Sequence, residues 1–241
     1  MTTTTTPIEI RRADERGKTR IGWLDSAHSF SFGHYYDPGR VGYRSLRVIN
    51  DDWIKAGTGF GEHGHDNMEI VSWMVEGALR HGDSLENSYV LTPGEVQVMS
   101  AGTGIRHSEY NASKTDSAHL LQLWIQPASR GITPRYGQTS IDPAVRKNRF
   151  APIASGRDAD VAQGALPIHQ DAAVLIADLD AGGAAGYTVE QGRGVYVHVV
   201  TGKVELSGHS LEAGDAAIIE SSGAIEVKGA EVSQVMLFDL A

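Results

Sequence analysis

The sequence predicts an all-β protein folded as a sandwich or barrel, and three observations carry that prediction. Short runs rich in Val, Ile and aromatic residues recur along the 241-residue chain. Glycine-containing turn signals separate them, among them "TPG" (92–94), "SG" (207–208) and "AGD" (213–215). Amphipathic patterns long enough for helices are scarce.

Taken in order, the runs are "YRSLRVIN" (43–50), "EIVSWMV" (69–75), "EVQVMS" (95–100), "HLLQLWIQP" (119–127), "VYVHVV" (195–200), "GDAAIIE" (214–220) and "VSQVMLFDL" (232–240). Each has the length and composition of a β-strand. Ahead of them, "MTTTTTPIEI" lacks the basic start and apolar core of a secretory signal, and its threonine tract reads as a disordered tail. No apolar run approaches the roughly 20 residues that a bilayer span needs. A cytoplasmic, membrane-independent protein is expected.

Composition narrows the chemistry. The chain has no cysteine, which removes disulfides, thiolate metal sites, iron–sulfur clusters and thiol nucleophiles. A formal net charge of -9 argues against direct nucleic-acid binding or an anionic membrane surface, because phosphate attraction needs an excess of Lys and Arg. Any metal must therefore be held by His, Asp and Glu.

The sequence also repeats itself. "MVEGALRHGDSLENSYVLTPGEVQVMSAG" (74–102) and "VVTGKVELSGHSLEAGDAAIIESSG" (199–223) share a strand–glycine–strand–turn–strand plan, with Gly77 matching Gly202 and Gly94 matching Gly214. The Pro-, Gly- and polar-rich stretch 129–164 lies between them and contains the expected domain boundary, giving domains 1–133 and 134–241. Equal counting from the glycines sets Thr188 and Glu190 against His63 and His65, and Val227 against His107. By this count the second copy has lost the histidines, so a metal would belong to the first.

Within the first copy, "GEHGHDNMEIV" (61–71) puts His63 and His65 on one face of a strand, because residues i and i+2 project the same way. "GIRHSEY" (104–110) does the same for His107 and Glu109. Adjacent strands in a barrel would bring the two pairs together. Three imidazoles and a carboxylate suit Fe(II), Mn(II), Co(II), Ni(II) or Cu(II), with Zn(II) possible although it prefers tetrahedral closure. Parity also places Glu69 on the face of His65 in an unbroken strand, so parity does not choose between Glu69 and Glu109. His81, His119, His198 and His209 show no partner pattern and read as surface or satisfied core residues. Trp73 and Trp124 read as core, while Phe30, Phe32 and Tyr35 are aromatics that a pocket could draw on.

Gly57, His63, His65, Glu69 and Gly77 follow the first motif of the cupin superfamily with one extra residue before the last glycine, and Gly94, Gly102, His107 and Asn111 follow the second, with Ser100 where that motif has proline and two extra residues before His107. "FGEHGHDNMEIVSWMVEG" (60–77) and "PGEVQVMSAGTGIRHSEYN" (93–111) resemble the pirin family within that superfamily. "GWLDSAHSFSFGHYYDP" (22–38) and "GITPRY" (131–136) are similar to its bacterial quercetinase-type branch. The resemblance implies two double-stranded β-helix barrels packed together, an N-terminal metal-binding cupin and a C-terminal cupin of the quercetinase type without a metal. It implies His63, His65, His107 and Glu109 as ligands of one divalent transition metal, with Fe(II) first among the candidates. It further implies quercetin 2,3-dioxygenase activity on a flavonol and O2, releasing CO, with Glu109 as the catalytic base. The alternative within the family is a non-catalytic, metal-dependent redox sensor or regulator that binds a protein partner. A monomer is expected, since two fused barrels can cover each other's sheets.

Overall fold

The structure, a computed structural model, describes residues 8–241; the threonine tract read as a disordered tail lies outside them. The strands, in chain order, are β1 (Ile8–Arg11), β2 (Gly17–Ile21), β3 (Leu24–His28), β4 (Leu46–Ile54), β5 (Gly59–His65), β6 (Glu69–Glu76), β7 (Leu79–Asp83), β8 (Ser88–Leu91), β9 (Glu95–Ser100), β10 (Ile105–Asn111), β11 (Ala118–Ile125) and β12 (Arg135–Ser140). They continue as β13 (Ala151–Ser155), β14 (Leu166–Pro167), β15 (Ala172–Leu179), β16 (Ala184–Val189), β17 (Gly194–Thr201), β18 (Lys203–Leu206), β19 (His209–Glu212), β20 (Ala216–Ile219), β21 (Gly223–Gly229) and β22 (Ser233–Leu240). All seven runs picked out from the sequence lie on strands of this set.

The chain forms two compact units. One comprises residues 16–141 with 154–171; the other comprises 142–153 and 172–241 with the N-terminal strand. In the first unit a large sheet of order β12-β9-β6-β11-β4-β3-β2 faces a smaller one of order β5-β10-β7-β8. The second unit repeats the plan, with β1-β20-β17-β22-β15 in the large sheet and β16-β21-β18-β19 in the small one. The expected division at 133/134 differs from this in two edge strands and in residues 154–171, which carry β14 and belong with the first unit. β12 hydrogen-bonds to β9 and stays with the first unit, while β1, from the far end of the chain, pairs with β20 and takes the equivalent edge of the second.

Burial follows the two kinds of strand. β10 alternates buried and open residues, as a strand covered on one face should. β6 and β11, central in their sheet, are buried almost throughout, polar residues such as Ser72 and Gln122 included. The repeat is exact at its glycines: Gly77 and Gly202 have φ of 78° and 80°, and Gly94 and Gly214 have 84° and 86°. A Cβ at Gly77 would lie 2.9 Å from the Ser117 carbonyl oxygen, and one at Gly202 would lie 2.5 Å from that of Val232. Each marks the same close approach of a turn to the start of a strand, a place only glycine fits without strain.

The strand registers refine the equivalences obtained by counting. His81 pairs with Glu109 where Leu206 pairs with Val227, and His63 pairs with His107 where Tyr187 pairs with Ile225. The true counterparts of His63, His65, His107 and Glu109 are thus Tyr187, Val189, Ile225 and Val227, rather than Thr188, Glu190 and Val227 in the order counted. The turn from β16 to β17 is one residue longer than that from β5 to β6, which displaces equal counting by one and moves it to the wrong face. The second copy has still lost the histidines. Val189, Leu206, Ile225 and Val227 belong to one hydrophobic cluster, with Tyr187 against it, so the second barrel has aliphatic side chains and one tyrosine where the first has candidate ligands.

Candidate metal centre

The small sheet of the first unit positions the histidines. β5 and β10 are antiparallel, with His63 opposite His107 and His65 opposite Ile105. Farther along, Glu109 pairs with Phe60, so Gly61 and Glu62 together lie opposite the single residue Ser108, a β-bulge. The bulge turns the Gly61 carbonyl toward its own strand, where it lies 2.8 Å from His63 Nδ1. A carbonyl only accepts, so Nδ1 carries the hydrogen and Nε2 presents a lone pair. Beyond the bulge β5 runs so close to β10 that a Cβ at Gly59 would lie 2.2 Å from the Glu109 carbonyl oxygen.

His63, His65 and His107 bring ligand nitrogens within 4.8 Å of one another. His107 Nε2 is 3.1 Å from His63 Nε2, and the ring of His65 meets both at centroid distances of 4.7 and 4.9 Å. His107 also belongs to a second cluster, with His81 and Glu109. Two sets of three therefore share one imidazole. All four residues singled out from the sequence occur in these sets, and His81, read as an ordinary core or surface residue, joins them. Its signal was the register of β7 against β10, which the spacing of a lone histidine does not reveal. His81 is buried, lies 3.0 Å from Asp83 through Nε2, and stacks on Tyr136.

Glu69 joins neither cluster among the described residues. The parity argument assumed one unbroken strand, but the chain turns at Asp66–Met68, with Asn67 at φ 48°, and Glu69 opens β6 in the opposite sheet. There it accepts a 2.6 Å hydrogen bond from Ser100 Oγ.

Glu109 is fully buried and is held from the facing sheet. Gln122 Nε2 donates to Oε2 at 2.8 Å and Gln97 Nε2 to Oε1 at 3.4 Å. These two amides belong to a polar row that crosses the large sheet through successive registered pairs: Gln138, Gln97, Ser72, Gln122, Asn50 and His28. The same row in the second barrel includes Ala217, Val197, Leu237 and Leu175, all in its hydrophobic cluster. The carboxylate and its amide donors have been replaced together.

Electrostatics suit a cation. Burial, then the neighbouring His63, lowers His65 to about 4; burial and the surrounding histidines lower His107 to about 3. These two rings are neutral at pH 7, the form that ligates. Burial pushes Glu109 up to about 7 against the opposing pull of Gln97 and Gln122. His107 Nδ1 and His81 Nδ1 are buried without a hydrogen-bond partner, and buried polar atoms left this way are costly. Converging neutral imidazoles, an orphaned ring nitrogen and one interior carboxylate fit a divalent transition metal. His63 and His65 are only partly buried, which leaves the cluster reachable from solvent.

Of the aromatics considered for a pocket, Phe30 is 1% exposed and belongs to the core, whereas Phe32 meets Trp124 edge-on at 5.4 Å. Trp73 is core as expected. Trp124 is half-buried and lies edge-on to His65 at 4.9 Å, so it borders the centre.

Comparison with known proteins finds a different family model for each half of the chain. Residues 9–125 match the family model described as Pirin, and residues 153–240 match the model of the quercetinase C-terminal cupin domain. The chain is 44% identical over 233 residues to the quercetin 2,3-dioxygenase of Escherichia coli strain K12, covering 97% of this chain and 98% of that protein. It is 40% identical over 236 residues to a pirin-like protein of Caulobacter vibrioides, covering 97% of this chain and all of the other. The crystal structure of the bacterial pirin YhhW from Escherichia coli in complex with nickel(II) superimposes with a TM-score of 0.90 and 43% identity, over 97% of this chain and 99% of that one.

Proposed function

Since the chain belongs to the pirin family of two-cupin proteins, we propose that it is a metal-dependent dioxygenase that opens the central ring of a flavonol such as quercetin with O2. His63, His65 and His107 hold the ion, with Glu109 as the fourth ligand and Fe(II) as the proposed metal. The observation that carries this reading is the convergence of neutral imidazoles on a solvent-reachable point beside a buried carboxylate. A divalent metal there would act as a Lewis acid toward the flavonol 3-hydroxyl.

The protein's own groups supply the rest. His63 is fixed by its Nδ1–H bond to Gly61, which orients Nε2 before any ion arrives. Glu109 takes the hydroxyl proton as general base, in an interior where both its oxygens already face amide donors. The edge of Trp124 and Phe32 offer an apolar wall for a planar substrate. In the overall reaction the C2–C3 and C3–C4 bonds break, and the two atoms of O2 end in the organic product on C2 and C4. The C3 carbon leaves as CO, and an aryl ester bearing a carboxylic acid remains.

Among the described residues no helix is long and apolar enough to cross a membrane. The test is anaerobic metal analysis of the purified protein, followed by quercetin absorbance and O2 consumption measured together. A metal-loaded protein that leaves a flavonol panel untouched would sink the enzymatic reading. If it also captured a protein partner only in one metal oxidation state, the regulatory alternative would replace it.

A further inference from the structure

We propose that Trp124 is a positioning residue for Glu109, acting through the Gln122 amide; the inference rests on the reading of Glu109 as a metal ligand. The side-chain amide of Gln122 can present either of two ends to the carboxylate: its NH2, which attracts, or its oxygen, which repels. The indole N–H decides between them. Trp124 Nε1 donates to Gln122 Oε1 at 3.2 Å, and Gln122 Nε2 then donates to Glu109 Oε2 at 2.8 Å. An indole nitrogen can only donate, so it accepts one amide orientation and rejects the other. The same ring lies edge-on to His65 at 4.9 Å. One side chain thus borders one candidate ligand and aims another.

The opposite side of Glu109 is built alike but more loosely. Tyr136 Oη lies 3.2 Å from Gln97 Oε1, and Gln97 Nε2 lies 3.4 Å from Glu109 Oε1. The single phenolic hydrogen is shared with Gln138 Oε1, which is closer at 2.8 Å. Trp124 is accordingly the stronger lock and Tyr136 the weaker. The second barrel supports this reading by what it has dropped. Where Gln122 pairs with Ser72, Leu237 pairs with Val197, and the position two residues on from Leu237, corresponding to Trp124, is Asp239. Without the carboxylate, both the amide and its indole donor have gone.

The experiment measures nickel(II) affinity of the metal-stripped full-length protein and the visible spectrum of its cobalt(II) form, whose band intensities report coordination number. Trp124→Phe keeps a ring against His65 but removes the N–H. It should weaken nickel(II) binding about 10-fold and alter the cobalt(II) bands, at the lower end of the 10–100-fold range for groups behind a ligand. Gln122→Leu, the residue of the second barrel, should cost more. In the double variant Trp124→Phe should add nothing, because its route to Glu109 has already been removed. Tyr136→Phe should have the smaller effect. An unchanged affinity and spectrum in Trp124→Phe, or a full additional loss on the Gln122→Leu background, would overturn the inference in favour of packing against His65. Glu109→Gln separates the two readings. If it leaves nickel(II) affinity and the cobalt(II) spectrum unchanged, Glu109 is no ligand and the underlying assignment fails. If it alters both while Trp124→Phe does not, only the role of Trp124 fails.

Discussion

The Nε2 atoms of His63 and His107 face each other 3.1 Å apart across the β5–β10 ladder, while His107 Nδ1 is buried with no partner. In a metal-free protein this arrangement strains stability, since an unsatisfied buried polar atom costs about 1–3 kcal/mol. His107→Ile, which copies Ile225 of the second barrel, should therefore abolish nickel(II) binding yet raise the melting temperature of the metal-free protein. The reverse holds for the wild type: metal at 100 times its dissociation constant should add about 2.7 kcal/mol of stability. Calorimetry with and without metal reads both. A metal-free His107→Ile protein that melts lower than wild type would show that the histidines pack as an ordinary core.

Glu109 gives the metal-free protein a pH dependence with a definite sign. Its folded pKa is raised by burial from 4.5 to about 7, so between these values the native state binds more protons than the unfolded state. The contribution of this group is fully present below pH 4.5 and is lost as pH rises through about 7. At 1.36 kcal/mol per pH unit the full swing is about 3 kcal/mol. His65 and His107, lowered by burial, act in the opposite sense: their contribution is lost as pH falls toward about 4 and about 3. Glu109→Gln should lessen the decline on the alkaline side, leaving the share that belongs to Asp52, and should leave the acid limb in place. Denaturant melts of metal-stripped protein from pH 5 to pH 8 test this, and a wild-type decline that survives undiminished in Glu109→Gln would assign it elsewhere. The same variant should retain part of its metal and lose flavonol turnover.

Much of this was legible in the sequence, and its limits have physical causes. Strand parity paired His63 with His65 and His107 with Glu109 because the period of 2 holds within any unbroken strand. It failed for Glu69, where a turn at Asp66–Met68 carries the chain into the other sheet. Matching glycines located the repeat, since positive φ at Gly77 and Gly202 is a backbone requirement visible in composition. Counting from them set the wrong residues against the ligands: one extra residue in the β16–β17 turn reverses the face, and a path from Gly214 to β21 that is two residues shorter sets Val227 in place of Ile225. His81, Gln97 and Gln122 were invisible for another reason: each meets Glu109 only through cross-strand register or across the barrel, and neither is encoded locally. The edge strand β1 was likewise hidden, since nothing near residue 8 points to a partner near residue 219.

A second interior carboxyl, Asp52, is also pushed up to about 7, by burial first and then by Asp51 and Glu109, against the pull of its Ser26 bond. Its Oδ1 has no hydrogen-bond partner. Asp52→Asn keeps the shape and removes the charge, so it should stabilise the protein above pH 7 and change little at pH 5. Because the residue belongs to neither ligand cluster, nickel(II) stoichiometry should stay at the wild-type value. Melting curves at the two pH values check the first claim and metal analysis the second. Loss of stoichiometric nickel(II) would mean that Asp52 belongs to the centre.

The second barrel provides the converse test, in which a carboxylate is placed where none is supported. Val227 is fully buried, occupies the position of Glu109, and faces Ala217 and Leu237 where Glu109 faces Gln97 and Gln122. In Val227→Glu the new carboxyl has no counterpart of either amide, and the expected loss is about 3–5 kcal/mol near pH 8, as for other unpaired buried charges. Protonation relieves it, so the loss should shrink toward pH 5. Leu237→Gln alone should also destabilise, because it buries an amide among hydrocarbons. Together the two should cost less than the sum of the single losses by at least about 1 kcal/mol, the amide donating to the carboxylate as Gln122 does to Glu109. Denaturant melts of the four proteins close the cycle. Strict additivity would mean that the amide row of the first barrel does not make its interior charge tolerable, and that Glu109 owes its place to the metal alone.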